Sequence, residues 1–144
     1  MREYEANLIS AGYAVHGRIV SVDDERGYFV ATACFPGKLT LNGTDSYYVL
    51  GKLNAFDYVD MENGIVSDGQ GYYQFIDEDD DRLLARWHVD AVKGEGLITF
   101  TGGTGKWCDA AGELVLALLV VPHENQVHES YVAGKGAGRI LLPA

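Results

Sequence analysis

The chain has 144 residues, 47% of them hydrophobic and 22% charged, with 18 glycines against 3 prolines. That suits one β-rich domain with a true core, which needs neither disulfide nor metal to fold. The formal net charge of −10, with only 11 Lys and Arg, argues against nucleic acid or an anionic membrane as partner, because both demand a basic face.

Cys34 and Cys108 form no C-x-x-C pair and read as free, buried or half-buried thiols; spacing alone cannot argue a disulfide. The opening stretch MREYEANLISAGYAV lacks a basic region followed by a long apolar one. The longest apolar run, residues 114–122, is half the ~20 residues of a membrane helix. A cytoplasmic protein is expected.

Residues 1–10 carry weak pattern and read as an N-terminal arm. In residues 12–22, Val15, Gly17 and Ile19 alternate with His16, Arg18 and Val20, as in a strand. A polar turn at 23–27 leads to a return strand at 28–35, closed by Pro36-Gly37. Residues 38–42 are a short strand or an extended connection. Asn42-Gly43-Thr44 fits a glycosylation sequon but reads more simply as a turn. Residues 46–54 form a strand, with Gly51 as a bulge or bend. Phe56, Tyr58 and Val59 suggest a short strand, Asn63-Gly64 a tight turn, and Ile65-Val66 the start of another strand.

Residues 70–76 (QGYYQFI) form a strand, and 77–81 (DEDDD) an acidic turn. Residues 82–92 return as a strand; Leu83, Leu84 and Trp87 also fall at helical spacing, but turns and strands surround the segment. After a turn at 93–95 comes a strand at 96–101, then the corner Gly102 to Gly105, then a compact loop or short helical turn at 106–112. Residues 113–121 are a long apolar strand ended by Pro122. A turn at 123–125, a strand at 126–133, a turn at 134–138 and a strand at 139–142 finish the chain.

Eight or nine strands with turns every 8–12 residues predict a sandwich or barrel in one domain, residues 1–144. Closure into a barrel removes exposed edges, and about eight strands leave room for side chains or one small ligand. Residues 114–121 are apolar on both faces. The lumen covers one face, and the N-terminal arm or a partner subunit must cover the other, so a homo-oligomer is expected.

Gly102-Gly103-Thr104-Gly105-Lys106-Trp107, followed by Ala111-Gly112 and a new strand, resembles the corner of allene oxide cyclases and dirigent proteins. The acidic hairpin after Gly71-Tyr72-Tyr73-Gln74-Phe75 is similar to the hairpin preceding that corner in small bacterial members. The resemblance spans residues 71–116. It implies an all-β, eight-stranded antiparallel, calycin-like barrel, often a dimer or trimer. It also implies chemistry without metal or organic cofactor: closing a ring in a fatty-acid epoxide, holding phenolic radicals while they couple, or folding a polyketide chain. No catalytic residue of those families can be matched here by position.

Candidate site residues come from the strand pattern. Arg86, His88 and Asp90 share one face of their strand, and Ala85, Trp87 and Val89 the other. If the polar face lines the lumen, Arg86 and His88 become acid–base candidates; if it faces out, it is a solvated surface. Tyr131, near Glu129, is a third catalytic candidate. Tyr48, Tyr73, Phe75 and Trp87 are candidate ligand-binding rings, since a lumen tyrosine offers an apolar body with one hydroxyl. His16, His123 and His128 have no metal-ligand spacing. Asp77, Asp79 and Asp81 alternate as in a calcium loop, but Arg82 and His88 stand where glycine and glutamate are required. Gly102 to Gly105 lacks the G-K-[ST] of a phosphate loop.

The expected function is therefore cofactor-independent cyclisation or isomerisation of a small apolar molecule of polyketide, lipid or phenolic type, held in the lumen. The alternatives are a hydrophobic-ligand carrier, or an assembly protein with a filled lumen. An outward-facing Arg86 and His88 would weigh against catalysis.

Overall fold

The computed structural model describes residues 1–60, 65–90, 95–122 and 130–144; within these, the side chains of 11–16, 19, 55, 57, 59, 60, 65–68, 90, 118–122 and 130–132 lie outside the description. Eight strands follow in order: β1 (Arg2–Ser21), β2 (Arg26–Leu41), β3 (Asp45–Asp60), β4 (Ile65–Asp77), β5 (Arg82–Asp90), β6 (Glu95–Gly103), β7 (Ala111–Pro122) and β8 (Ser130–Leu142). Each pairs antiparallel with the next, and β8 pairs with β1, which closes the barrel. A 3-10 turn, Gly105–Trp107, fills the corner between β6 and β7. Among the described residues no helix is long and apolar enough to cross a membrane.

Four expectations change. Residues 2–13 are no arm; they pair with β8 from Arg2↔Leu142 to Tyr13↔Tyr131, so they cannot fold over β7. Pro36-Gly37 does not end a strand, because β2 runs on to Leu41. The β1–β2 ladder skips from Ser10↔Gly37 to Tyr13↔Cys34, so the missing N–H of Pro36 falls where no ladder bond is made. Gly51 is no bulge: it stays in register between Phe35 and Phe75, and a Cβ there would lie 3.5 Å from the Phe75 ring. The segment 134–138 is not a turn but the middle of β8. Gly134 and Gly136 are buried, and Gly136 lies against Leu114 and Leu116. The turns expected at Asn63-Gly64 and 123–125 lie outside the described residues, as do His123 and His128.

Asn42-Gly43 does form a turn. Both residues have positive φ, 50° and 71°, the pairing that a two-residue hairpin requires. The Thr44 N–H closes it on the Leu41 carbonyl at 3.1 Å. Asn42 also ties the hairpin to β1, its Oδ1 accepting from the Glu5 N–H at 2.9 Å.

The core sits at the end of the barrel that carries this hairpin, the β4–β5 turn and the corner. Trp107, Leu83, Ile98, Leu114 and Ile140 are almost wholly buried there. The acidic turn and the corner lock together. Trp107 Nε1 donates to Asp77 Oδ2 at 2.9 Å. Lys106 Nζ lies 2.6 Å from Asp77, 3.0 Å from Asp79 and 3.0 Å from Asp81. The backbone N–H groups of Asp79 and Asp81 donate to Asp77 Oδ1. Desolvation pushes the Asp77 carboxyl up, but these donors outweigh it and hold the group below its usual range. The focus of the three carboxylates is thus filled by an ammonium. Gly105 is required beside it, with φ +55° and no room for a Cβ against the Asp81 carboxylate.

Candidate functional site

Strand alternation decides which predicted residues meet. On β5 the inward set is Leu83, Ala85, Trp87 and Val89, all buried; Arg86 and His88 are exposed. Of the two orientations open for this strand, the solvated one holds, so Arg86 and His88 do not serve as lumen acid–base groups: the wholly apolar face turns inward, since burying Arg86 would cost its desolvation. Tyr48 is corrected likewise. It is 64% exposed, while Tyr47 packs edge-on against Trp107 at 5.1 Å. Tyr131 pairs through its backbone with Tyr13 and Val121; its side chain lies outside the description.

The other three candidates converge. Tyr73 stacks on Phe75 at 4.9 Å and meets Trp87 edge-on at 6.3 Å. Phe35, which the sequence pattern did not single out, completes the cluster at 6.5 Å from Tyr73. Small or aliphatic residues flank the Tyr73 ring across the strands: in register, Ala33 faces Leu53, Leu53 faces Tyr73, and Tyr73 faces Ala85. Alternation of large and small inward residues is how a small barrel fits side chains to its taper.

Asn54 fixes the tilt of this cluster. Between Leu53↔Tyr73 and Phe56↔Gln70 the β3–β4 ladder has no paired residues. The Asn54 side chain replaces the ladder there, its Oδ1 accepting from the Tyr72 N–H at 2.8 Å. The Asn54 carbonyl accepts from Trp87 Nε1 at 3.1 Å. The one polar atom of the Trp87 indole is therefore satisfied by the wall. The Tyr73 hydroxyl is different: it has no hydrogen-bond partner among the described residues, and burial raises its pKa well above the usual phenol range. It stays protonated, a neutral donor set in an aromatic surface. Asparagine is uncommon in strands, which was the available sequence signal for this position.

A groove of about 730 Å3 crosses β2 to β6, open to the outside and backed by the inward residues Ala33, Leu53, Tyr73 and Ala85. Tyr72, Lys52 and Leu84 form its sides, with Asn54 and Gln74 between them. The two cysteines are free thiols, Cys34 half-buried at this groove and Cys108 exposed at the corner rather than buried. No cluster of three or more His, Cys, Asp and Glu able to hold a metal occurs among the described residues.

No family model matches the sequence, and no curated protein matches it. Among solved structures, the chain is similar to the pterocarpan synthase dirigent protein GePTS1, with a TM-score of 0.52 and 14% identity over 100% of this chain and 89% of that one. The class of protein this defines is a closed eight-stranded antiparallel barrel of dirigent-like fold. The likeness at that identity bears on fold; the narrower resemblance to allene oxide cyclases and to small bacterial barrels has no counterpart in it.

Proposed function

We propose that the barrel binds a small, ring-bearing apolar molecule, phenolic or polyketide-like, against the Phe35–Tyr73–Phe75–Trp87 cluster and directs its cyclisation without a cofactor. The observation that carries this reading is the Tyr73 hydroxyl, a half-buried donor with no acceptor among the described residues, inside an aromatic lining. Such a group orients a ligand carbonyl or ether oxygen while stacked rings hold its apolar body. Holding a flexible precursor near its ring-closed shape lowers the entropic part of the barrier. That the structural neighbour is named a pterocarpan synthase and a dirigent protein accords with this reading.

A second reading has its own support. With Arg86 and His88 outside, the described lumen has no acid–base pair, which favours a carrier that binds without turnover. One experiment separates the two. Phenolic and polyketide precursors that cyclise spontaneously are incubated with the protein, and products are resolved by chiral chromatography. A director shifts the product ratio at unchanged precursor binding; a carrier only slows precursor loss. If no precursor quenches tryptophan fluorescence in the wild type, lumen binding itself fails.

We also propose that copies associate through the outer face of β6 and β7. Val115 is 61% exposed there beside Leu97 at 37%. Light scattering after size-exclusion chromatography should show a Val115→Lys variant of lower mass than the wild type; a monomeric wild type refutes the association.

A further inference from the structure

The outer groove has a chemistry of its own. Its lining contains no Asp or Glu, although the chain carries 21. Its one charged lining residue is Lys52; Arg86 lies outside the lining, on β5 at its margin, in register with the lining residue Tyr72. Neither cation has an ion pair among the described residues, in contrast to Arg26, Arg82, Lys106 and Arg139. The amide oxygens at the groove are already engaged. Asn54 Oδ1 takes the Tyr72 N–H, and Gln74 Oε1 takes Arg82 Nη1 at 3.0 Å. What stays open is therefore donors, the two cations and the amide NH2 groups, beside an apolar surface with Tyr72 65% exposed and Leu84 38% exposed.

We infer that this groove binds a small amphipathic organic anion, a carboxylate on an aromatic or aliphatic body. The body lies along Tyr72 and Leu84 over the backbone of β3 to β5, and the carboxylate sits between Lys52 and Arg86. Charge complementarity carries the choice: a cationic, carboxylate-free patch on a protein of net charge −10 selects an anion against the field of the rest of the surface. A peptide strand is a poorer occupant. The groove lies within a closed sheet, so it offers no free sheet edge for strand addition. The groove opens on the outer side, where Tyr72 is exposed, and is backed by Ala33, Leu53, Tyr73 and Ala85 of the lumen wall.

The test is an amide NMR titration of the labelled protein with cinnamate and with its neutral analogue cinnamyl alcohol. Cinnamate should shift the amides of Lys52, Tyr72, Leu84 and Arg86 saturably, and the alcohol should bind about threefold to tenfold more weakly. The double variant Lys52→Met with Arg86→Met should abolish that preference, as should high salt. Both residues are exposed on strand faces, so the variant keeps the core, and its unshifted remaining amides report that it folds. Equal affinity for acid and alcohol overturns the inference. So does an absence of saturable shifts, or shifts confined to Phe35, Phe75 and Trp87. That last outcome leaves the lumen reading standing; groove shifts with no lumen ligand found would do the reverse.

Discussion

Replacing Lys106 by Met tests whether the closed end is held by charge or by packing alone. The variant keeps an unbranched stem beside the Tyr47 ring, over which Nζ sits at 5.7 Å from the centroid, and deletes the ammonium. The three ion pairs differ in weight. Asp79 has a 78% exposed side chain, so its pair contributes only about 0–1 kcal/mol. Asp77 is 7% exposed, yet it keeps the Trp107 indole and two backbone N–H groups after the change. The loss there is one charge-assisted bond, about 1.5–3 kcal/mol, below the 3–5 of a wholly uncompensated buried charge. A total of roughly 2–3 kcal/mol lowers the thermal midpoint by roughly 6–12 °C. The pH dependence supplies the sign. The Asp77 pKa is depressed below 3.8, so its contribution is complete above 3.8 and is lost as pH falls through the folded value. The Lys106 pKa is raised above 10.5, chiefly by its bond to Asp77, so its contribution is complete below 10.5 and is lost only at higher pH. In the Met variant, desolvation of Asp77 meets fewer donors, and acid unfolding moves to higher pH. Urea unfolding followed by tryptophan fluorescence at neutral pH and near pH 2 measures both effects. An unchanged midpoint at neutral pH, or an equal loss at both values, refutes the reasoning.

Two glycine substitutions should diverge. Gly43→Ala meets nothing within 4 Å and should cost about 1 kcal/mol for its left-handed backbone, whereas Gly105→Ala also collides with the Asp81 carboxylate and should cost clearly more by urea unfolding. Tyr73→Phe removes a half-buried hydroxyl without a partner among the described residues, so the free protein should be as stable as the wild type or more stable by up to about 1 kcal/mol, while affinity for an oxygen-bearing lumen ligand falls roughly fivefold in a fluorescence titration. Leu114→Ala empties a fully buried position and should cost about 2–5 kcal/mol by the same unfolding assay.

The barrel was legible because period-two alternation and turn chemistry are local. QGYYQFI, the acidic turn and RLLARWH follow one another as β4, a hairpin and β5. Faces were harder, because alternation yields two sets without saying which is inside. For β5 the answer lay in composition: Leu83, Ala85, Trp87 and Val89 contain no charge. The Tyr47-Tyr48 and Tyr72-Tyr73 pairs give no such sign by themselves; their neighbours two residues away, Val49 and Phe75, do. Glycine misled where its small size, not its flexibility, was needed. Gly134 and Gly136 read as a turn but lie buried in β8, where Gly136 serves as a flat place for Leu114 and Leu116. The contacts of Lys106 and Trp107 with Asp77 join residues about thirty apart in sequence, and no periodicity reports such a meeting. The same holds for the link from Asn54 to Trp87.

The seam between β1 and β8 bears on the order of folding. Of the eight ladders, seven join consecutive strands, and the eighth joins Arg2 to Leu142 across the whole chain. The consecutive ladders form with modest loop-closure entropy, whereas the seam must wait for the rest of the sheet to curl. Until it does, β1 and β8 are two bare edges, each able to accept a strand from another molecule. The exposed pair of Arg139 with Glu3 at 2.7 Å stands on that seam, where opposite charges favour the chain's own edge over a stranger's. Aggregation during refolding is thus decided by how fast the two ends of one molecule meet.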